Sequence, residues 1–264
     1  MKRSASHGII AFVAVAAVLA VASPFGARAQ HGANDEVTLI GPGGIRAAME
    51  KLIPEFERKT GHKVKATFGS GLGTKQQVAQ GDPFDVPIVQ PPFPEVLASG
   101  NVLTSSAIDL ATVSVGVAVK QGAPKPDIST PEAFKRTLLT AKSISYPDPA
   151  GGAAAAISFD ATIKKLGIGS QIESKLKRAR GGAAAMAMVA QGQAEIGLTF
   201  VSEMDEPGIE VVGPLPAAIS TPTTLVGFVS SHAKNPAAAK QLLEFISSPS
   251  AAAAYRAAHM QPLH

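Results

Sequence analysis

The sequence predicts an α/β protein in which largely parallel strands alternate with helices. Two observations carry this reading. Short β-branched runs are repeatedly followed by segments whose apolar residues fall three and four apart, and the turns that join them are rich in glycine. Glu36 to Ile40 reads as the first strand, followed by the turn Gly41-Pro42-Gly43-Gly44. Ile45, Met49, Leu52, Ile53 and Phe56 then share one helical face, with Pro54 set to kink that helix or reset its first turn and Gly61 to end it. Lys63 to Phe68 alternates as the next strand. Gly69-Ser70-Gly71-Leu72-Gly73 leads into a helix over 74–80 that Gly81 stops. Asp85 to Val89 has the apolar composition of a buried parallel strand, and a short helix over 93–99 precedes Gly100.

The cycle then repeats with different punctuation. Ala111 to Lys120 is the longest strand candidate. Ser129 and Glu132 form a capping box, with Pro131 in the first turn of a helix that reaches about Thr140. A strand over 142–146, a loop over 148–152 and an alanine-rich helix over 153–166 follow. Gly181-Gly182 opens a helix over 183–191, before strands over 195–200, 210–213 and 223–230. Asn235-Pro236 and Ser248-Pro249 pair an N-cap with a first-turn proline for the last two helices. No internal repeat and no low-complexity linker interrupts the chain.

Composition excludes several chemistries. The 264 residues contain no Cys, so disulfides, thiol nucleophiles, zinc–thiolate sites and iron–sulfur clusters are all ruled out. Lys2 and Arg3 precede an apolar run from Ile9 to Ala22, and Ser23-Pro24-Phe25-Gly26 breaks it before Ala27-Arg28-Ala29. This is the layout of a secretory signal peptide over residues 1–29, with an A-x-A cleavage site. The apolar run is shorter than the roughly 18 residues a bilayer span needs. Its removal deletes three cations and no acid, which lowers the formal charge from +4 to +1. The mature protein is therefore expected in the periplasm, close to neutral, with no electrostatic case for nucleic acid.

Four glycine-rich turns, at 41–44, 69–73, 150–152 and 181–182, each lie between a strand and a helix. In parallel α/β sheets ligands sit beyond the carboxyl ends of the strands, and helix N-termini present N–H groups with a positive dipole end. Such turns hold compact anions without any charged side chain. Other constellations are weaker. Gly69 to Lys75 lacks the Gly-Lys-Ser/Thr order of a phosphate loop, and Ser70 lacks the spacing of a nucleophile elbow. His31, His62, His232, His259 and His264 share no metal-ligand spacing. Asp82 and Asp148 precede proline and read as turn formers, Asp85 is a further candidate carboxylate, and Met186 and Met188 read as core filler. The absence of Trp and the presence of only two Tyr disfavour a sugar ligand.

Several stretches resemble bacterial periplasmic solute-binding proteins of ABC transporters, of the molybdate-binding type. They are Val37 to Met49, Phe56 to Val64, Phe68-Gly-Ser-Gly71, Gln80 to Val86, Tyr146 to Gly152, Val189 to Gly197 and Phe245 to Ala254. The resemblance implies a two-lobed, type II-like periplasmic-binding-protein fold with parallel-rich mixed sheets and a hinge of two crossing strands. Lobe I would comprise 30–115 plus 224–264 and lobe II 116–223, with the crossings near Gly116 and Thr223. It further implies that two serine hydroxyls, one tyrosine hydroxyl and main-chain N–H groups hold a tetrahedral oxyanion. The serine positions fall here on Gly44 and near Gly71, with Ser70 adjacent, and the tyrosine position falls on Phe200. The main-chain donors fall near Ala155 and Gly182, while Ser70, Thr74, Thr199 and Ser202 are the hydroxyls available as replacements.

The expected ligand-binding set is therefore Gly43, Gly44, Ser70, Gly71, Gly151, Gly152, Ala155, Gly182, Thr199 and Phe200, with no catalytic residue, metal or cofactor. The expected function is capture of a small anion, molybdate or tungstate by default and a small carboxylate or another oxyanion as the near alternatives. Hinge closure would follow, and a monomeric binding protein would deliver its ligand to a membrane permease. Two other classes remain as alternatives. An exported α/β hydrolase would need a nucleophile, base and orienter that the sequence does not display. A ligand-binding sensor would share the site without transport.

Overall fold

The computed structural model describes residues 36–264; the signal peptide expected over 1–29 lies outside the described residues. The first strand, β1 (Glu36–Pro42), leads through a short 3-10 turn at Gly43–Ile45 into helix α1 (Arg46–Thr60). Ala48, Met49, Leu52 and Phe56 are the buried face of α1, and Gly61 closes it in the left-handed conformation at φ 81°. Pro54 does not end the helix. Its ring and the Glu50 side chain one turn earlier are both exposed, so water can reach the carbonyl that proline leaves without a donor.

Strand β2 (Lys63–Gly69), helix α2 (Gly71–Gln80), strand β3 (Val86–Val89) and the short helix α3 (Pro94–Ala98) follow. Ser70 caps α2, its hydroxyl accepting the Gly73 N–H at 3.1 Å. Asp85 belongs to the scaffold. Its carboxylate accepts the Thr38 N–H and hydroxyl, each at 2.7 Å, and the Lys234 N–H at 2.6 Å, tying β1 to the segment that precedes a C-terminal helix.

The expected long strand over 111–120 is two strands in two different sheets. β4 (Ile108–Val113) and β5 (Val115–Lys120) are separated by Ser114 alone. After helix α4 (Pro131–Thr140) come β6 (Ile144–Pro147), α5 (Ala154–Leu166), α6 (Gly169–Ile172), β7 (Leu176–Ala179), α7 (Gly182–Ala190), β8 (Ile196–Phe200) and β9 (Ile209–Pro214). The cap of α4 is Thr130, whose hydroxyl accepts the Ala133 N–H. The hydroxyl of Ser129 instead donates to Asp127, so the cap moves by one residue and, with Ala133 at the third helical position, the expected capping box does not form. Strand β10 (Thr223–Gly227), α8 (Pro236–Ile246), α9 (Ala252–Ala257) and β11 (Gln261–Pro262) complete the chain. Asn235 caps α8 as expected, accepting the Ala238 N–H at 3.1 Å. Ser248 precedes a single 3-10 turn without a side-chain cap, and its hydroxyl donates back to Phe245.

One sheet has six strands in the order β11-β4-β10-β3-β1-β2, with β2, β1 and β3 parallel and the other pairings antiparallel. The other has five in the order β7-β6-β8-β5-β9, with β7, β6 and β8 parallel and β5 antiparallel to both of its neighbours. The chain passes between sheets twice, at Ser114 and between β9 and β10. The two mixed sheets are thus joined by two crossings of the chain, the first at Ser114 and the second over residues 215–222. At the first crossing the backbone is tightly approached: a methyl group on Gly116 would lie 2.4 Å from Val201 Cγ2 and 2.8 Å from the Gly213 carbonyl oxygen. Tyr146, Tyr255, Phe56, Phe134, Phe159, Phe200 and Phe228 are the largest buried side chains among the described residues, and Tyr146 packs edge-on against Phe159 at 5.3 Å between ring centres. Strands β1 and β6, with their following turns, thus point their carboxyl ends at the same region from separate sheets.

Candidate functional site

Both sheets open onto one cavity of about 230 Å³. The first wall comes from the turn after β1 (Pro42, Gly43, Arg46, Ala47, Glu50), the turn after β2 (Gly69, Ser70, Gly71) and Gln90 after β3. The second comes from Pro147 and the start of α5 (Ala153, Ala154, Ala155), from Arg180, Gly181, Gly182 and Ala183 at the start of α7, and from Phe200, Ser202, Glu203 and Asp205 after β8. Of the residues expected at the site, Gly43, Ser70, Gly71, Ala155, Gly182 and Phe200 line this cavity. Gly44 is buried behind it, where a methyl group would lie 3.5 Å from the Phe200 ring and 3.7 Å from Gln90 Nε2. Thr199 is fully buried beneath Glu203. Gly151 and Gly152 lie outside the lining. Their N–H groups donate to the carbonyls of Asp148 and Pro149, so the 3-10 turn at Pro149–Gly151 satisfies them locally.

The helix starts differ in what they leave open. The first N–H groups of any helix lack partners within it. In α2 the Ser70 side chain takes the Gly73 N–H. Neither α5, at Ala153, nor α7, at Gly181, has a side-chain cap, and the 3-10 turn leading into α1 has none either. Ala154, Ala155, Gly182 and Ala183 therefore bring main-chain donors to the cavity from two helix N-termini, each with a positive dipole end.

Side chains add to this. Gln90 is 3% exposed, and its Nε2 has no hydrogen-bond partner among the described residues; the same holds for the hydroxyl of Ser202, 9% exposed. Both residues line the cavity, and an amide NH₂ can only donate. Arg46 on the first wall and Arg180 on the second are exposed guanidiniums at the cavity, Arg46 lying over the Phe68 ring at 5.6 Å. Glu50 and Asp205 balance them in formal charge.

Glu203 is the feature that the sequence did not disclose. It follows β8, half-buried, in the 3-10 turn Val201–Glu203, and its Oε2 accepts the Thr199 hydroxyl at 2.6 Å. A methyl group on Gly43 would lie 3.1 Å from Oε1, and one on Gly182 would lie 2.3 Å from Oε2. The carboxyl thus spans the gap between the helix starts of the two walls. Burial pushes it above the ordinary carboxylate range. The Thr199 hydrogen bond opposes this, Asp205 adds to it, and Arg46 opposes it in turn. The one sequence signal for Glu203 is its i+4 spacing from Thr199, and that signal is too common to single out a site.

The chain resembles known proteins along most of its length. It is 32% identical over 235 residues to the aconitate isomerase of a Pseudomonas species, covering 86% of this chain and 88% of that protein. It is 28% identical over 222 residues to the molybdate-binding protein ModA of Azotobacter vinelandii, covering 82% and 86%. The solved periplasmic molybdate-binding protein of Azotobacter vinelandii superposes with a TM-score of 0.70 at 20% identity, over 85% of this chain and 98% of that one, which establishes the shared fold. Residues 37–261 match the sequence profile described as bacterial extracellular solute-binding protein, and to that family this chain belongs.

Proposed function

We propose that this chain is the periplasmic binding component of a transport system for a small organic carboxylate, held in the cavity between its two sheets. One observation carries the reading. Helix starts without side-chain caps converge on a cavity that also holds a buried, unpartnered Gln90 amide, so the guest must accept hydrogen bonds from several sides. A volume of about 230 Å³ is below the roughly 300–1,000 Å³ of drug-sized sites and suits a compact metabolite.

Carboxylate is favoured over molybdate because the likeness to an aconitate isomerase, at 32% identity, exceeds that to a molybdate-binding protein, at 28%. The resemblance to the molybdate-binding type puts its hydroxyl positions on Gly44, near Gly71 with Ser70 adjacent, and on Phe200. Of the nearby replacements, Thr199 gives its proton to Glu203, whereas Ser70, which only accepts from Gly73, and Ser202, which has no partner among the described residues, keep theirs for a guest. Hydrogen bonds to an anion of either kind are worth about 1.5–3 kcal/mol each, so hydroxyls missing at Gly44 and Phe200 weigh against an oxyanion that needs them. Arg46 and Arg180 are forks that can pair with a carboxylate or an oxyanion. Export through a leader cleaved after Ala29, lobes of 30–115 plus 224–264 and 116–223, closure about the crossings, and docking of the closed monomer on a permease complete the proposal. The change of sheet at Ser114 lies two residues from the first proposed boundary. Thermal-shift and calorimetric titration with trans-aconitate, citrate, tricarballylate, molybdate, tungstate, sulfate and phosphate tests it. A tricarboxylate should bind more tightly than molybdate; the reverse order would return the site to metal oxyanions, and no response at millimolar concentration would end the anion reading.

A second reading, that the cleft isomerises an unsaturated carboxylate rather than delivering it, is favoured by Glu203. It is a carboxyl at the cavity whose pKa is raised toward the range useful for proton transfer, in a chain similar to an aconitate isomerase. Nuclear magnetic resonance of cis-aconitate incubated with the protein decides this. Appearance of trans-aconitate with wild type but not with Glu203→Gln supports turnover, and an unchanged spectrum supports binding alone.

A further inference from the structure

On the reading of the cleft as an anion site, we infer that Glu203 enters the liganded complex as a neutral carboxylic acid. It donates its proton from Oε1 to an oxygen of the guest, so capture takes up one proton. The geometry divides the carboxyl into two halves. Oε2 accepts the Thr199 hydroxyl at 2.6 Å. Oε1 faces the turn after β1, where methyl groups on Gly43 and Gly44 would lie 3.1 and 3.7 Å away. Because Oε2 is the acceptor of Thr199, a proton on this carboxyl belongs on Oε1, from which it is offered to the guest and not to the N–H groups of the first wall.

Charge balance makes that proton decisive. The charged groups at the cavity besides Glu203 are Arg46 and Glu50 on α1, Arg180 before α7 and Asp205 after β8, two of each sign. With Glu203 neutral the side chains cancel, and the dipole ends of α5 and α7 set the sign that a guest meets. With Glu203 ionised the lining becomes negative, and its carboxylate competes with the guest for the same N–H groups. The Gln90 amide is an independent pointer. Its buried Nε2 has no partner among the described residues and can only donate, so the guest must bring acceptors. Burial already disfavours the ionised carboxyl in the free protein, and a bound anion disfavours it further.

The consequence is selectivity by protonation. A fully ionised carboxylate offers only acceptors and matches the Glu203 hydroxyl, the Gln90 amide and the helix N–H groups together. An anion that carries its own proton sets donor against donor.

Titration calorimetry of tricarballylate tests this, because the ligand is saturated and cannot isomerise. The signal-free mature protein is titrated between about pH 6.5 and pH 9 in buffers of different ionisation enthalpy, a range in which the ligand is fully ionised. The sign follows from linkage: the bound form has the higher Glu203 pKa, so affinity falls as pH rises above the free-site value. The expected loss is up to about tenfold per pH unit, with close to one proton taken up. Glu203→Gln keeps a donor and removes the titration, so its affinity should stay within about threefold across the range. A flat wild-type profile, or a slope that survives in Glu203→Gln, overturns the donor role while leaving binding intact. Absence of tricarballylate binding in both proteins overturns the carboxylate reading of the cleft and the donor role with it. Should Glu203→Gln fail to fold, Thr199→Val removes the hydroxyl that favours the ionised form. The wild-type pH profile should then move to higher pH, and an unmoved profile counts against the role.

Discussion

The two walls of the cleft are built from the same strand–turn–helix unit and differ in how many helix starts the chain caps itself: one of two on the first wall, neither on the second. On the first wall, Ser70 turns its hydroxyl onto Gly73 and closes the start of α2 with the chain's own oxygen. On the second, α5 and α7 begin without a side-chain cap, and their first residues line the cavity. Glycine content does not distinguish the two walls. Gly151 and Gly152 look in sequence like a donor pair, yet both N–H groups serve their own turn, and the open donors begin three residues later at Ala154 and Ala155. A glycine-rich turn marks where a helix starts near a cleft; the caps decide whether that start is available to a guest.

The largest expected effect breaks the second wall. Gly182→Ala sets a methyl group 2.3 Å from Glu203 Oε2 and 2.4 Å from the Thr199 hydroxyl. It should weaken calorimetric binding of the best carboxylate by at least about a hundredfold, near 2.7 kcal/mol. Retained affinity would remove α7 from the site. Next in size are the two guanidiniums, one per wall. Arg46→Gln and Arg180→Gln should each raise Kd by about ten- to a hundredfold, the range of a charge-assisted hydrogen bond. A loss confined to one of them would mean that only one wall grips charge.

A smaller effect is expected where the walls meet. Gly152 sits at φ 65°, and a methyl group there would lie 2.7 Å from Leu72 Cβ on α2, whereas Gly151 has open space around it. Gly152→Ala should lower the melting temperature and weaken binding several-fold; Gly151→Ala should do neither. The smallest effect on affinity belongs to the capped start. Ser70→Ala should destabilise the fold by about 0.5–2 kcal/mol in denaturant unfolding while Kd stays within about twofold. A larger loss of affinity would show that the hydroxyl, while it accepts from Gly73, also donates its proton to the ligand.

The alternation of elements was legible because periodicity and turn residues report local structure. The helices α1, α5 and α8 and their glycine or asparagine signals fall within a residue or two of expectation. What failed was non-local. Nothing in Ala111 to Lys120 reveals that Ser114 is where the chain changes sheets, because both halves are apolar and β-branched. Strand β7 went unread because Lys177 and Arg178 are exposed on the edge of its sheet and break the apolar pattern. At Ser129 and Thr130 two adjacent hydroxyls compete for one cap, and composition cannot choose between them. The glycine turns located the cleft, but Glu203, Gln90, Arg46 and Arg180 reach it from separate strands and helices, and only the folded chain assembles them.

Nuclear magnetic resonance of the main-chain amides tests the central claim most directly. Titrating ¹⁵N-labelled protein with the tightest-binding anion of the panel should shift the amides of Gly43 and Gly44 on one wall and of Ala154, Ala155, Gly182 and Ala183 on the other. All six should follow one saturation curve with one Kd. Shifts confined to a single wall, or centred instead on the surface groove around Phe93 and Phe228, would contradict it.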